Sequence, residues 1–271
     1  MPELPEVETS RRGIEPHILS QTITDAIIRQ KKLRWPIPLS LKNNLPGNQI
    51  TSVARRGKYL LLNTNTGTVI IHLGMSGSLH IINNQTPAEK HDHFEIIFAN
   101  GKSLRLRDPR RFGAVLWTRK NPLTHKLIEK LGPEPLDTQF NTDYLYQSSR
   151  NKKTSIKTFI MNSHIVVGVG NIYANEALFL AGIHPKRLAG RISQARYELL
   201  VNAIKSVLTS AIQQGGTSLR DFTNQDGKPG YFKQHLNVYG KADLPCSHCG
   251  QKIKQIRQQQ RSTYYCSHCQ S

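Results

Sequence analysis

The sequence predicts an α+β protein: an N-terminal helix and a β-sandwich, followed by a helical domain that ends in a cysteine-bearing β-hairpin. Three observations predict it. Short alternating or β-branched runs, bounded by turn residues, recur between positions 22 and 118. From position 142 the apolar spacing becomes helical. All four cysteines fall between Cys246 and Cys269. A chain of 271 residues is long enough for more than one domain, each with a modest core.

The first helix is expected from Glu3 to about Leu19. Strands are expected at Thr22 to Arg29, Gln49 to Arg56, Lys58 to Asn63, Thr68 to Leu73, Ser78 to Ile82, His93 to Phe98, Ser103 to Arg107 and Gly113 to Thr118. Asn100-Gly101 is a hairpin signal between two of them. Their number and spacing suit a sandwich. Asn121 to Asp137, with prolines at 122, 133 and 135, reads as a linker. Helices follow at Thr142 to Ser149, Ile156 to Met161, Ile172 to Ala181 and Ser193 to Gln213. A Gly- and Lys-containing loop from Gly215 to Gly230 precedes the cysteine tail. The expected domains are 1–132, 133–234 and 235–271. No internal repeat or low-complexity segment is present.

Charge narrows the partner. Thirty-seven Lys and Arg against eighteen Asp and Glu leave a formal net charge of +19, which calls for a polyanion more than a small acidic substrate. Nucleic acid and an anionic membrane surface are the two candidates. No window approaches the roughly 20 apolar residues of a membrane span, and no N-terminal stretch has a signal-peptide core. The expectation is a soluble intracellular protein that binds nucleic acid.

Cys246-x-x-Cys249 and Cys266-x-x-Cys269 have the spacing of two knuckles that bring four thiolates to one tetrahedral zinc. Four protein ligands make such a site closed and structural, with no position for an activated water. His248 and His268 sit inside the knuckles and are expected to be exposed bystanders. Lys252, Lys254, Arg257 and Arg261 lie between the knuckles, so the tail would present cations to phosphate.

Gly168-Val169-Gly170-Asn171 leads into an apolar-periodic helix, a setting in which backbone N–H groups can approach an anion. It is not the dinucleotide fingerprint, since position 173 is Tyr and helix rather than strand precedes it. Arg55-Arg56-Gly57-Lys58, taken on composition, is a solvated basic strand end. His72-Leu73-Gly74-Met75-Ser76-Gly77 and Asp108-Pro109-Arg110-Arg111-Phe112-Gly113 are tight turns that can lift Met75, Arg110 and Phe112 outward.

The chain opens Met1-Pro2-Glu3-Leu4-Pro5-Glu6-Val7-Glu8. Proline and glutamate are unremarkable in a first helical turn. This octapeptide, however, together with Gly57-Lys58-Tyr59, both turns, the Gly170-Asn171 helix start, the Gly215 to Tyr231 loop and the cysteine finger, resembles the bacterial formamidopyrimidine-DNA glycosylases in motif and in order. The resemblance spans essentially the whole chain. It implies a helix-two-turn-helix element around Asn171 and a bifunctional glycosylase and abasic-site lyase. Such an enzyme excises 8-oxoguanine and formamidopyrimidines from duplex DNA through a Schiff base and β,δ-elimination, in base excision repair.

The same resemblance implies a catalytic set of Pro2, Glu3, Lys58 and Arg261, with Glu6 as a second carboxylate of less defined role. Pro2 would be the nucleophile once Met1 is removed. DNA contacts would come from His72, Met75, Arg110, Phe112, Lys153 and Asn171. Met75, Arg110 and Phe112 would fill the void left by the everted nucleotide, with Arg110 facing the orphaned base. The Gly215 to Tyr231 loop is similar to the family's lid over the everted purine. One structural zinc, a monomeric state and a bacterial cytosolic, nucleoid-associated location complete the expectation. Two alternatives stay open on sequence. A sister group acting on oxidised pyrimidines begins in a manner similar to Pro-Glu-Gly-Pro-Glu, where this chain has Leu4. A non-enzymatic zinc-finger DNA-binding protein would have no use for a free Pro2.

Overall fold

The structure, a computed structural model, describes residues 2–216 and 236–271. These residues form two compact units, one of 2–129 with 214–216 and one of 130–213 with 236–271.

The first unit opens with α1 (Leu4–Ile18). Pro5 sits in its first turn, where the missing N–H costs no helical hydrogen bond. Val7, Ile14 and Ile18 share one face and are buried in the sandwich core. Eight strands follow: β1 (Ile23–Ile28), β2 (Ile50–Arg56), β3 (Tyr59–Thr64), β4 (Thr68–His72), β5 (Ser78–Asn83), β6 (Asp92–Phe98), β7 (Lys102–Arg107) and β8 (Ala114–Thr118). They pair antiparallel in two four-stranded sheets, ordered β1-β6-β7-β5 and β2-β3-β4-β8. The sandwich follows from period-two burial. Leu60 and Leu62 of β3 and Val69 and Ile71 of β4 meet Phe94 and Ile96 of β6 and Leu104 and Leu106 of β7 in one core cluster. Each such fully buried side chain contributes about 1.5–3 kcal/mol relative to exposure.

Two features depart from the sequence expectation. A four-residue helix, α2 (Leu41–Asn44), stands between β1 and β2, too short for periodicity to show. Lys58 is not the first residue of a strand. Arg56 pairs with Tyr59, so Gly57 and Lys58 form a two-residue hairpin turn. Gly57 has φ +57°, the left-handed value that such a turn needs at its first central position and that glycine adopts without strain.

The second unit contains α3 (Thr142–Ser149), α4 (Ile156–Ile160), α5 (Asn171–Leu180), α6 (Gln194–Gln213) and a hairpin of β9 (Lys254–Gln258) and β10 (Arg261–Tyr265). Asn141 caps α3 by accepting the Tyr144 N–H at 2.9 Å, and Ser155 caps α4. The buried stripe Leu200, Ile204, Val207, Leu208 and Ala211 turns α6 toward α5 and α3. α5 packs in turn against β10. Among the described residues no helix is long and apolar enough to cross a membrane.

Candidate active site and nucleic-acid interface

In the first unit, Pro2 is buried and directly precedes Glu3, the N-cap of α1. Glu3 is 2 % exposed and Glu6 1 %. The two form a capping box in which the Glu6 carboxylate accepts the Glu3 backbone N–H at 2.8 Å. Gly216 lies against Glu6. Its φ of +82° is a value glycine adopts without strain, and a Cβ built there would come 3.0 Å from Glu6 Oε1. At the helix start each carboxylate is thus tied to backbone, Glu3 to the Glu6 N–H and Glu6 to the Glu3 N–H, directly beside residue 2.

Lys58 occupies the β2–β3 turn, half-buried, and His72 ends β4 in the same sheet, paired with Tyr59. The rings of Tyr59 and His72 lie 4.9 Å apart. Burial, then the positive charges of Lys58 and Arg34, push the His72 imidazole down to about 4. Its Nδ1 accepts the Gly74 N–H at 3.0 Å. The ring is thus neutral near pH 7 with its proton on Nε2, a hydrogen-bond donor without charge.

Met75, Arg110 and Phe112 lie on two turns that abut. Gly74, at φ +64°, comes so close to the other turn that a Cβ would meet the Phe112 carbonyl carbon at 2.4 Å. Asp108, fully buried, clasps both turns. One carboxylate oxygen accepts the Ser76 hydroxyl at 2.9 Å and the other the Gly113 N–H at 2.7 Å, while the Arg110 N–H donates to Ser76 Oγ at 3.2 Å. Its carbonyl also lies 3.0 Å from His93 Nε2. On this fixed base Met75 is half-buried, and Arg110 and Phe112 are exposed. The Arg110 guanidinium stands 5.2 Å from the Phe112 ring centre, an exposed cation–π pair.

In the second unit, Asn171 is the first residue of α5, behind the N-cap Gly170 and the left-handed Gly168 at φ +83°. α4 and α5 are joined by the turns of 161–170. Asn171 Nδ2 and the buried Lys157 Nζ converge on the Ser262 carbonyl at 3.0 and 3.1 Å, and Lys157 also donates to Thr263 Oγ1 at 2.6 Å. These bonds fix the start of β10, where Arg261 is exposed and pairs with Gln258 across a turn of Gln259 and Gln260, at φ 44° and 60°. Arg261 lines an open cavity of about 470 Å³ with Lys152, Thr158, Phe159, Met161 and Gln259. Lys153 is exposed beside Lys152, between α3 and α4.

The four cysteine sulfurs lie within 4.8 Å of one another, with Cys246 to Cys269 at 3.9 Å and Cys249 to Cys266 at 3.5 Å. Zn–S bonds of about 2.3 Å in a tetrahedron put sulfurs about 3.8 Å apart, so the donor set fits one zinc. His248 and His268 are exposed. The finger is bolted to α5 by Glu176, whose carboxylate accepts the backbone N–H groups of Asn237, Val238 and Tyr239 at 2.7, 2.9 and 2.8 Å.

Sequence reasoning did not single out Ser76, Asp108, Lys157 or Glu176 as functional supports. Asp108 stood inside a quoted motif, and Glu176 falls on α5 between Asn175 and the apolar face. What they do depends on partners distant in sequence. The lid expected over the purine, including Thr217 through Tyr231, lies outside the described residues.

Comparison with known proteins covers the whole chain. Residues 1–115 match the family described as "Formamidopyrimidine-DNA glycosylase N-terminal domain", 131–223 the "Formamidopyrimidine-DNA glycosylase H2TH domain" and 243–271 the "Zinc finger found in FPG and IleRS". A formamidopyrimidine-DNA glycosylase of Nitrosococcus oceani is 58 % identical over 270 residues, covering 100 % of both chains. A Lactococcus lactis FPG variant solved with Fapy-dG containing DNA superposes with TM-score 0.92 at 34 % identity, over 99 % of each chain. A MutM solved with DNA containing carbocyclic 8-oxo-G gives TM-score 0.91 at 35 % identity, again over 99 % of each.

Proposed function

Because this chain belongs to the formamidopyrimidine-DNA glycosylase family, we propose a specific division of chemical work among its residues. The protein is a DNA glycosylase and abasic-site lyase of base excision repair that acts on oxidised purines in duplex DNA, and its finger holds one structural zinc. Once Met1 is removed, the Pro2 nitrogen is a secondary amine; such α-amino groups titrate near pH 8, which leaves a neutral fraction to attack. It bonds to C1′ as the glycosidic bond breaks, and the base leaves with the bonding electron pair and the proton that the attacking amine sheds. Glu3 protonates O4′ as the sugar opens. A secondary amine can give only an iminium cation, and that cation acidifies C2′–H. The Glu3 carboxylate left by O4′ protonation takes the C2′ proton as the C3′–O bond breaks and the 3′ phosphate leaves, and loss of the C4′ proton then expels the 5′ phosphate from C5′.

Lys58 and His72 flank this chemistry as a cation and a neutral donor for the backbone near the lesion. Met75, Arg110 and Phe112 fill the vacated stack, which the enzyme needs because C1′ is out of reach inside the duplex. Asn171 and the α5 N-terminus, Lys153 and Arg261 hold phosphates; Arg261 also joins the catalytic set through the opened sugar's leaving phosphate. The divisions 1–132, 133–234 and 235–271 act as catalytic, helical DNA-binding and finger segments, and the protein works in the bacterial cytosol at the nucleoid.

The observation that carries this assignment is the Pro2-Glu3 start of α1, buried beside a second carboxylate in a capping box. It is tested by separating molecules that retain Met1 from processed ones by mass. A Met1–Pro2 peptide bond makes the nitrogen an amide, so the retained form should neither excise 8-oxoguanine nor cut abasic DNA. Equal activity of the two forms would remove Pro2 from the mechanism.

A further inference from the structure

Glu8 is 8 % exposed and lies on α1, two turns from the Pro2 end. Arg12 Nε donates to its Oε1 at 2.8 Å, and Arg11 is bonded to it at 3.1 Å. Neither explains the third arginine. Arg55, from β2, donates from Nε to Glu8 Oε2 at 3.1 Å and from Nη1 to the Gly57 carbonyl at 2.8 Å. Its side chain is only 13 % exposed. Burial alone would raise the Glu8 carboxyl, but hydrogen bonds from Arg11 and Arg12 and the charges of Arg11 and Arg55 hold it below the usual range.

The Gly57 carbonyl belongs to the peptide plane that ends in the Lys58 nitrogen. A bond to that oxygen sets how the two-residue turn is rotated, and hence the base from which Lys58 projects. The planar guanidinium can meet a carboxylate with one edge and a carbonyl with the other, which a single ammonium cannot do at both distances. We propose that Arg55 is a positioning residue: clamped by Glu8, it locks the Gly57–Lys58 peptide so that Lys58 is held in register with the helix that begins at Pro2. The inference rests on the reading of Lys58 as an active-site cation. Arg11 also donates to the Val53 carbonyl at 3.1 Å, so α1 keeps its own tie to β2 when Arg55 is changed.

The test is single-turnover excision of 8-oxoguanine from a duplex by wild type, Arg55→Lys, Lys58→Ala and the double variant, with melting temperatures measured in parallel. Misplacing a reacting group by about 1 Å can cost about a hundredfold. Arg55→Lys is expected to slow excision about 10- to 100-fold, yet to change the Lys58→Ala rate by less than about twofold, because coupled residues are not additive. A purely structural role would instead multiply the two losses. Multiplied losses, or an Arg55→Lys enzyme as fast as wild type, overturn the proposal. Should Arg55→Lys fail to fold, Glu8→Gln takes its place with the same expected non-additivity and the same overturning result. If Lys58→Ala itself is fully active, the reading of Lys58 falls and this inference with it; if Lys58→Ala is slow while the Arg55 loss multiplies, only the positioning role falls.

Discussion

Replacing Asp108 should uncouple the two turns that carry Met75, Arg110 and Phe112. Its fully buried carboxylate bonds the Ser76 hydroxyl of the other turn and the Gly113 N–H that closes its own. Hydrogen bonds to a charged group contribute about 1.5–3 kcal/mol each, so losing both in Asp108→Ala should cost about 3–6 kcal/mol. Asp108→Asn can keep one oxygen on Gly113 but turns its NH₂ toward Ser76 Oγ, which already accepts from the Arg110 N–H; about 1–2 kcal/mol is expected. At about 2–4 °C per kcal/mol, Asp108→Asn should lower Tm by roughly 2–8 °C. Function should suffer selectively. With 2-aminopurine opposite the lesion as a reporter, void filling should slow, and 8-oxoguanine excision should fall about tenfold, roughly the rate equivalent of 1.4 kcal/mol. Cleavage at a preformed abasic site should change far less. An unaltered Tm for Asp108→Ala, or equal losses on the two substrates, would refute the view that this carboxylate couples the wedges.

Glu176→Ala should free the finger from α5 without touching the cysteines; DNA affinity should drop, and the log–log salt slope should flatten by about 0.9 if Arg261 loses one phosphate. Unchanged affinity and slope would mean that the finger is aimed by other contacts. Cys249→Ser should lose zinc and DNA binding together, read by metal content and titration, and a metal-free variant that binds normally would contradict a structural role. His72, held down to about 4 from an ordinary 6.5, should show no ring titration by NMR between pH 6 and 8. Because the folded form resists protonation, the stability tied to a neutral His72 is present above about 6.5 and is lost as pH falls toward 4. A midpoint near 6.5 would show that the ring is solvated.

Much of the fold was legible because its signals are local. β2 was expected at Gln49 to Arg56 and runs Ile50–Arg56; α3 was expected and found at Thr142–Ser149, where Asn141 provides a cap that sequence displays. Placement was legible where a short motif carries it: Glu3 caps α1, the knuckles bring four cysteines together, and Gly170-Asn171 starts α5. What escaped depends on pairing across the chain. Lys58 read as strand because apolar residues follow it, and only the Arg56–Tyr59 register shows a turn. His72 read only as a DNA contact, and its neutrality comes from burial, Lys58 and Arg34, which no local window contains. Glu8, Arg55, Asp108 and Glu176 are charged residues whose partners lie up to 63 positions away, so their burial could not be read from their neighbours.

The central claim is that the residue-2 amine forms the covalent bond to DNA. Processed protein should be incubated with an 8-oxoguanine duplex and borohydride, and the trapped protein–DNA adduct digested and mapped by mass spectrometry. The account predicts a single adduct on Pro2, reduced from the iminium. An adduct on Lys58, or none under conditions in which the strand is cut, would contradict it.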